Sequence, residues 1–260
     1  MRVLVTGGEG YIGSNLRRFF PASWEFISYD IKSGHDITDF DSIEQAISNV
    51  DMVIHLAAVS ASDTCAQIET SLRTNLYATA QIAEICNVHG IDLLFASSFD
   101  PPSTLFGCLK RAASRVVKQL NGRVFYLSHV YGGSNYLRLK DDLIARWVKT
   151  LKRGGVLHVY GNGNQTRDFI HVDDACRNII RFAQSDLQEA FICTGVQTSV
   201  NDILNIFRNF CLRHPNLDLK YKYHLSRFEY SVTTPKPSFS WSTSVKDGVM
   251  RLLSEVFECA

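Results

Sequence analysis

The sequence predicts an α/β protein, with a doubly wound parallel sheet and a smaller C-terminal α/β domain. Short strands rich in β-branched residues alternate with helical segments through the first half of the chain, as in parallel sheets. The first strand, Arg2–Thr6, runs directly into a glycine-rich turn. The 260 residues, 45% of them apolar, are enough to bury one large core or two smaller ones.

The elements can be placed in order from the hydrophobic periodicity and its boundary signals. Pro21 ends the first helical pattern, and Gly90 follows the third. We expect strands at residues 2–6, 25–29, 52–58, 91–98, 123–131, 156–161, 189–195 and 220–224. We expect helices at residues 11–20, 42–48, 72–89, 104–121, 139–152, 172–182, 199–212 and 244–257.

Composition excludes several classes of protein. The net charge is +1 with acids and bases interspersed, so we expect neither a nucleic acid nor a membrane surface as partner. No apolar run approaches the roughly 20 residues that span a bilayer, and the chain enters a strand with no signal peptide, which predicts a cytoplasmic protein. The seven cysteines are scattered without a C-x-x-C pair, so we expect free thiols and no metal site.

The turn after the first strand predicts a dinucleotide site. Gly7 would let the chain turn, Gly10 would let the backbone approach a pyrophosphate, and Gly13 would let the helix pack closely. The next strand ends in Asp30, whose carboxylate can accept hydrogen bonds from a ribose and would repel a 2′-phosphate. The alternative is an ordinary glycine-rich turn, but the strand, helix and acid that follow favour NAD.

Two motifs carry a resemblance to a known family. The T-G-G-E-G-Y-I-G run from Thr6 to Gly13 and the N-G-N-Q-T-R-D-F-I-H-V-D-D run from Asn162 to Asp174 are similar to segments of extended short-chain dehydrogenases/reductases. These are the NAD-dependent nucleotide-sugar epimerases, dehydratases and reductases. The resemblance covers nearly the whole chain, with one deletion at the catalytic loop and another before the last helix. It implies a Rossmann-type NAD domain, a domain for a nucleotide-diphosphate sugar, and a homodimer.

The resemblance also implies boundaries and cofactor contacts. The NAD domain would comprise residues 1–135 and about 168–195, and the sugar-nucleotide domain about 136–167 and 196–260. Asp36 has an alternative, because a loop acid at that position could instead cap the next helix. The implied cofactor contacts are Gly7, Gly10, Tyr11, Ile12, Gly13, Asp30, Asp36, Ile37, Leu56, Ala57, Ala58, Asn75 and Lys110.

The catalytic segment departs from the family pattern. The family has a serine or threonine at the end of a strand, a long loop, and a helix that opens with Y-x-x-x-K, the tyrosine being the acid/base. Here Ser98 and Lys110 fit, but Phe106 stands at the tyrosine position and the loop has shrunk to residues 99–105. A phenyl ring cannot carry a proton, and losing a positioned acid/base costs about 10²–10⁴ in rate.

Three interpretations follow from that departure: a binding protein without turnover, an enzyme with a substitute acid/base, or an engineered tyrosine-to-phenylalanine form. The shortened loop speaks against the third, because a point substitution removes no loop. His129, where the family has a sugar-facing asparagine, could substitute, since histidine titrates near neutral pH. The alternative is that His129 only hydrogen-bonds a phosphate or ribose of the ligand. Lys110 could act alone only if desolvation lowered its pKa.

Two arginines are candidates for the phosphates of the nucleotide sugar. Arg167 lies in the motif best matched to the family, and a guanidinium gives bidentate bonds to a diphosphate. Arg227 is the second candidate, with a surface arginine as the alternative. Asp168 is expected to fix the local structure. The motifs together favour an enzyme that oxidises a sugar transiently, with a catalytically impaired binding protein as the alternative.

Overall fold

A computed structural model describes residues 1–133, 135–139, 142–226 and 230–258. The chain divides into two compact units. The first comprises Met1–Leu127 and Cys176–Ile192, and the second Ser128–Ala175 and Cys193–Ala260. Which ligand each unit binds stays a prediction.

The strands form three sheets. In chain order they are β1 Arg2–Thr6, β2 Glu25–Tyr29, β3 Met52–His55, β4 Asp92–Ser98, β5 Arg123–Leu127, β6 His129–Tyr131, β7 Val156–Tyr160, β8 Thr166–His171, β9 Glu189–Ile192, β10 Gln197–Ser199 and β11 Lys220–His224. The first unit holds a parallel six-stranded sheet in the order β2-β1-β3-β4-β5-β9. The predicted fold class is therefore confirmed. Because the chain moves from β1 to β2 on one side and then to β3 on the other, the order reverses between β1 and β3, where such folds bind ligands.

The helices follow the predicted alternation. They are α1 Tyr11–Leu16, α2 Phe40–Ile47, α3 Ala61–Thr64, α4 Ile68–Leu72, α5 Thr79–His89, α6 Leu105–Gln119, α7 Leu143–Lys152, α8 Val172–Ala183, α9 Val200–Leu212 and α10 Val245–Phe257. The helix expected at 72–89 includes a π-helical segment, Arg73–Ala78, between α4 and α5. Gly90 ends α5 in the left-handed conformation, with φ of 66°. No helix within the described ranges is long and apolar enough to cross a membrane.

The core of the first unit lies on the large sheet. Leu4, Val53, Phe95 and Val124 come from four neighbouring strands, and each is at most 1% exposed. Helices cover these strands, which explains why the strands read as nearly continuous apolar runs. Burying one such side chain stabilises the fold by about 1.5–3 kcal/mol. The sheet that carries the glycine turn is therefore a rigid support.

The second unit contains two small sheets. One is three-stranded in the order β10-β8-β6, with β8 antiparallel to β10 and parallel to β6. The other pairs β7 with β11 in parallel. The N-terminus of α9 is closed by a capping box in which the side chains of Ser199 and Asp202 satisfy each other's backbone amides.

The single strand expected at 123–131 is a wrong prediction, because the structure has two strands there. β5 pairs with β4 and β9 in the first unit, whereas β6 pairs with β8 in the second. Ser128 separates them. The run R-V-F-Y-L-S-H-V-Y keeps the composition of a strand throughout, so local pattern alone cannot show that the hydrogen-bonding partners change.

Candidate active site

The glycine turn after β1 is built by backbone segments in very close contact. Gly7 has φ of 70°, and a Cβ there would lie 2.9 Å from the backbone nitrogen of Ala57. A Cβ on Gly13 would lie 2.4 Å from the carbonyl oxygen of Gly7. Gly10 is the N-cap of α1, and it provides no side chain to cap the helix. The turn therefore accepts only glycine at positions 7 and 13, and it presents the amides of a helix start, as a pyrophosphate requires.

Asp30 lies at the end of β2, beside this turn. Its side chain is 6% exposed, and its two oxygens accept hydrogen bonds from the amides of Glu9 and Lys32, each at 2.9 Å. These bonds hold the carboxylate in place, while its remaining lone pairs can accept from ribose hydroxyls. The turn and the acid together fit the adenosine half of a dinucleotide.

His55 ties the ends of β1 and β3 together. Its Nδ1 lies 2.6 Å from Thr6 Oγ1, and its Nε2 lies 3.0 Å from Thr79 Oγ1. Thr79 donates its hydroxyl to the carbonyl of Asn75, so Nε2 must be the protonated nitrogen. Burial, together with the charge of Lys110, lowers the pKa of His55 to about 3, and the ring is therefore neutral. This agrees with a structural role.

Asn75 fixes the chain just beyond β3. Within the π-helical segment it is fully buried, and its amide accepts from the nitrogen of Val59 at 2.7 Å and donates to the oxygen of the same residue at 3.0 Å. This clamp holds the segment that contains Leu56, Ala57 and Ala58. π-helical turns often occur at functional sites.

The other residues predicted to contact the cofactor differ in their exposure and local contacts. Asp36 is exposed and accepts from the amide of Thr38 at 2.9 Å. It does not cap the next helix, because Asp39 is the N-cap of α2. The side chain of Ile37 packs in the core and is 5% exposed. Tyr11 and Ile12 are half-buried in the first turn of α1.

Ser98 ends β4 in a closed pair with Asp100. The serine hydroxyl donates to Asp100 Oδ2 at 2.7 Å, and the amide of Asp100 donates back to the hydroxyl at 3.1 Å. A ligand that accepts from Ser98 must therefore replace the carboxylate as the acceptor. Asp100 is therefore an acid in direct contact with the candidate catalytic serine.

The short loop after β4 closes directly onto α6. Thr104 caps this helix by accepting from the amide of Gly107 at 3.0 Å. A Cβ on Gly107 would lie 2.3 Å from the carbonyl oxygen of Pro101, so the loop touches the helix backbone. Phe106 lies in the first turn, half-buried.

Lys110 lies one turn further along α6, beneath β4. The residue is 4% exposed, and its ammonium donates to the carbonyl of Ala96 at 2.9 Å. Its Nζ is 4.7 Å from the ring centroid of Phe95 and 5.8 Å from that of Phe106. Burial lowers the pKa of Lys110 to about 7. The amine can therefore exchange a proton near neutral pH, which is the condition for it to act as an acid or base.

In the second unit, His129 pairs with an aspartate that the sequence did not suggest. Its Nε2 lies 2.5 Å from Asp142 Oδ2, and Tyr136 donates its hydroxyl to the other carboxylate oxygen. Asp142 also caps α7 by accepting from the amide of Ala145 at 2.9 Å. Burial alone would raise the pKa of Asp142, but the hydrogen bonds and the charge of His129 outweigh burial and lower it. The only local signal of Asp142 is a helix cap.

Arg167 lies on β8, next to the strand that carries His129. Because His129 pairs with Phe169, and Arg167 is two residues before Phe169, the arginine and the histidine point to the same face of this sheet. Arg167 Nη1 donates to the carbonyl of Thr166 at 2.8 Å. Arg227, the other predicted phosphate ligand, lies outside the described residues.

Asp168 anchors a neighbouring turn. It is 1% exposed and accepts from the amides of Thr194 and Gly195, at 3.0 and 2.6 Å. This agrees with the structural role expected for it.

The chain is similar to known proteins over most of its length. Residues 3–193 match the model of the NAD dependent epimerase/dehydratase family. A protein provisionally named UDP-glucose 4-epimerase, from Methanocaldococcus jannaschii, is 25% identical over 248 residues, 80% of this chain and 81% of the relative. The crystal structure of a dTDP-glucose 4,6-dehydratase from Streptomyces venezuelae, solved with NAD, has a TM-score of 0.84 at 21% identity and covers 99% of this chain and 97% of the other.

A second similar structure is a tyrosine-to-phenylalanine variant of a UDP-glucuronic acid 4-epimerase from Bacillus cereus. It was solved in complex with a fluorinated UDP-sugar and NAD. Its TM-score is 0.82 at 19% identity, with 100% of both chains covered. Both crystal structures show the shared fold. The family match, which spans most of the sequence, shows that this chain belongs to the NAD-dependent epimerase/dehydratase family, whose cofactor is NAD.

Proposed function

We propose that the chain is an enzyme that modifies a nucleotide-diphosphate sugar by transient oxidation, with its first unit binding NAD and its second binding the sugar nucleotide. One observation carries the proposal. This chain, a member of the family, has a glycine turn beside a buried carboxylate and, on one face of another sheet, an arginine and a histidine whose chemistry suits a phosphorylated sugar. Its relatives, named as epimerases and dehydratases, support this substrate class.

Bound NAD supplies a hydride acceptor for the sugar carbon. Ser98 would hydrogen-bond the oxygen on that carbon, and Lys110 would hold the nicotinamide ribose or accept the proton. Because the pKa of Lys110 is about 7, its amine is partly unprotonated at neutral pH. Phe106, at the position of the family tyrosine, would contribute only its ring.

His129 is the second candidate for the missing acid/base. Asp142 would orient its imidazole and stabilise the protonated ring, as a buried carboxylate does for histidine in hydrolases. The alternative role for His129 is a hydrogen bond to the bound ligand. The Asp142 pairing supports the acid/base role, because a histidine needed only as a donor requires no charged partner.

A catalytically impaired binding protein is the alternative function. Phe106 and the short loop that closes on Gly107 favour it. The B. cereus variant, which has lost a tyrosine, is seen with both a sugar nucleotide and NAD, so ligands can bind such a protein. Both candidate functions predict that NAD and a sugar nucleotide bind, but only the enzyme is expected to convert the sugar.

The assembly and location are also proposals. We propose a homodimer formed through helices 72–89 and 104–121. The exposed apolar side chains of Tyr77 and Val88, 54% and 74% exposed, support a covered surface on the first of these helices. Light scattering should then give twice the 29.3 kDa mass of one chain. A cytoplasmic location remains a prediction.

A Phe106→Tyr variant tests the enzyme against the binding protein. Turnover of UDP-, dTDP- and GDP-sugars by both proteins is compared with NAD present. If only the proton carrier is missing, the tyrosine should raise the rate by about 10²–10⁴. If Lys110 or His129 already does this work, wild type should turn over and the tyrosine should add little. No turnover by either protein would contradict the proposal and favour the binding protein.

A further inference from the structure

The segment Tyr230–Thr234, here called the tyrosine strap, runs beside β8 at the point where Arg167 lies. The amide of Thr166 donates to Ser231 Oγ at 3.0 Å, and the amide of Val232 donates to the carbonyl of Thr166 at 3.0 Å. At its other end, the hydroxyl of Thr234 donates to Asp168 Oδ2 at 2.7 Å. The strap is therefore fixed to the residues on both sides of Arg167.

Tyr230 holds the guanidinium of Arg167 in two ways. Its carbonyl accepts from Nη1 at 2.5 Å, and its ring lies under the guanidinium, 4.3 Å from Cζ to the ring centroid. Nη1 also donates to the carbonyl of Thr166. Both hydrogen bonds are thus made by Nη1, and the ring of Tyr230 contacts one face of the guanidinium. Their effect is to fix the plane of the guanidinium.

The other edge of Arg167 makes no such bonds. Within the described ranges, neither Nε nor Nη2 of Arg167 donates a hydrogen bond to another protein group. These two nitrogens form the parallel pair of donors that matches two oxygens of a phosphate or carboxylate. Arg167 is thus oriented through one nitrogen and keeps a bidentate edge for an anion.

We propose that Tyr230 is a positioning residue that sets the affinity of this chain for the diphosphate of its nucleotide sugar, by holding Arg167 in the plane that presents Nε and Nη2. The inference rests on the proposed function, which gives Arg167 its phosphate. It goes further because Tyr230 lies in the tail, where this chain departs from the family pattern, and no motif marks it.

The expected effect is modest. Tyr230 is 39% exposed, and a cation–π contact at such a site accounts for about a two- to fivefold change in an equilibrium constant. Tyr230→Phe keeps the ring and the main-chain carbonyl, whereas Tyr230→Leu keeps only the carbonyl. Because more than a third of Tyr230 is exposed and the residue lies outside the buried core, both variants should fold.

Calorimetry with the nucleoside diphosphate that wild type binds most tightly, among UDP, dTDP and GDP, tests this inference. Arg167→Ala should weaken binding at least tenfold, since a charge-assisted bidentate bond is lost. Tyr230→Leu should weaken it two- to fivefold, and Tyr230→Phe should bind as wild type. In the Arg167→Ala background, Tyr230→Leu should have no further effect, because its action passes through the arginine.

The outcomes separate the inference from the function on which it rests. If Arg167→Ala weakens binding but Tyr230→Leu does not, Tyr230 positions nothing and only the inference fails. If Tyr230→Leu is equally harmful without Arg167, the ring contacts the nucleotide itself, and the inference again fails. If Arg167→Ala binds as wild type, the phosphate site of the proposed function is wrong as well.

Discussion

The buried amine of Lys110 should make the stability of the protein depend on pH in a way that one substitution removes. In the folded protein its pKa is about 7, against an ordinary value of 10.5, because burial disfavours the charged form. Between these two values the unfolded chain binds a proton that the folded protein does not. Stability must therefore rise with pH across this window. Below pH 7 both states carry the proton, so the folded protein bears the full free-energy cost of burying the charged amine.

The magnitude follows from the shift. The lowering of the pKa from 10.5 to about 7 corresponds to about 5 kcal/mol at most, or about 1.4 kcal/mol per pH unit inside the window. Lys110→Met keeps most of the volume and has no titrating group. Between pH 7.5 and 9, the free energy of unfolding of wild type should rise by about 2 kcal/mol relative to this variant.

Urea unfolding at several pH values measures this difference. Burial raises the pKa of Cys86 to about 12, which lowers stability above pH 9, but this contribution is common to both proteins and cancels. The matched control is Lys149→Met, which also removes a lysine that donates to a main-chain carbonyl, that of Leu139 at 2.6 Å. Parallel pH profiles for wild type and Lys110→Met would refute the reasoning, since the amine would then be protonated in the folded protein at neutral pH.

Three further predictions concern ligands and turnover. Gly13→Ala should weaken NAD binding about tenfold or more in fluorescence titration, because its Cβ would lie 2.4 Å from the Gly7 carbonyl; unchanged affinity would contradict the close packing. Asp30→Asn should lower the affinity for NAD about tenfold and reduce the ratio of the affinity for NAD to that for NADP. Parallel titrations with the two cofactors would show both changes. Asp142→Asn keeps a helix cap but loses the charge beside His129, so kcat should fall about tenfold or more with little loss of thermal stability. Asp39→Asn, at the cap of α2, is its matched control, and equal kcat values for the two variants would count against His129 as the acid/base.

The sequence predicted the parts of the fold that depend on local pattern. The order of strands and helices in the first unit, the glycine turn after β1 and the acid at the end of β2 were all predicted from the sequence. Their physical requirements are short-range: a positive φ at Gly7 and close backbone contact at Gly13. Such requirements restrict these positions to particular residue types, which are visible in the sequence. The family resemblance depends on the same residues.

The parts that depend on distant partners were missed. The run from 123 to 131 has the composition of one strand, and only the change of neighbours from β4 to β8 divides it. The π-helical segment around Asn75 has ordinary helical residues, and the clamp on Val59 is a tertiary contact.

The same limit applies to the candidate site. Asp142 is 13 residues from His129, and Tyr230 is 63 residues from Arg167. The sequence separation of neither pair predicts a contact, because these contacts form only when the sheet brings the segments together. The pKa of Lys110 is likewise a property of its burial beneath β4, whereas the sequence shows only a lysine four residues after Phe106.

The most direct test of the central claim is to follow sugar nucleotides in deuterated water. The purified protein would be incubated with NAD and a panel of UDP-, dTDP- and GDP-sugars, and each would be examined by proton NMR and mass spectrometry. We expect one sugar to be converted, or to gain deuterium at one carbon, which would establish an enzyme and name the carbon. Ligands that bind while every sugar stays unchanged over hours would contradict the claim and leave a binding protein on an enzyme fold.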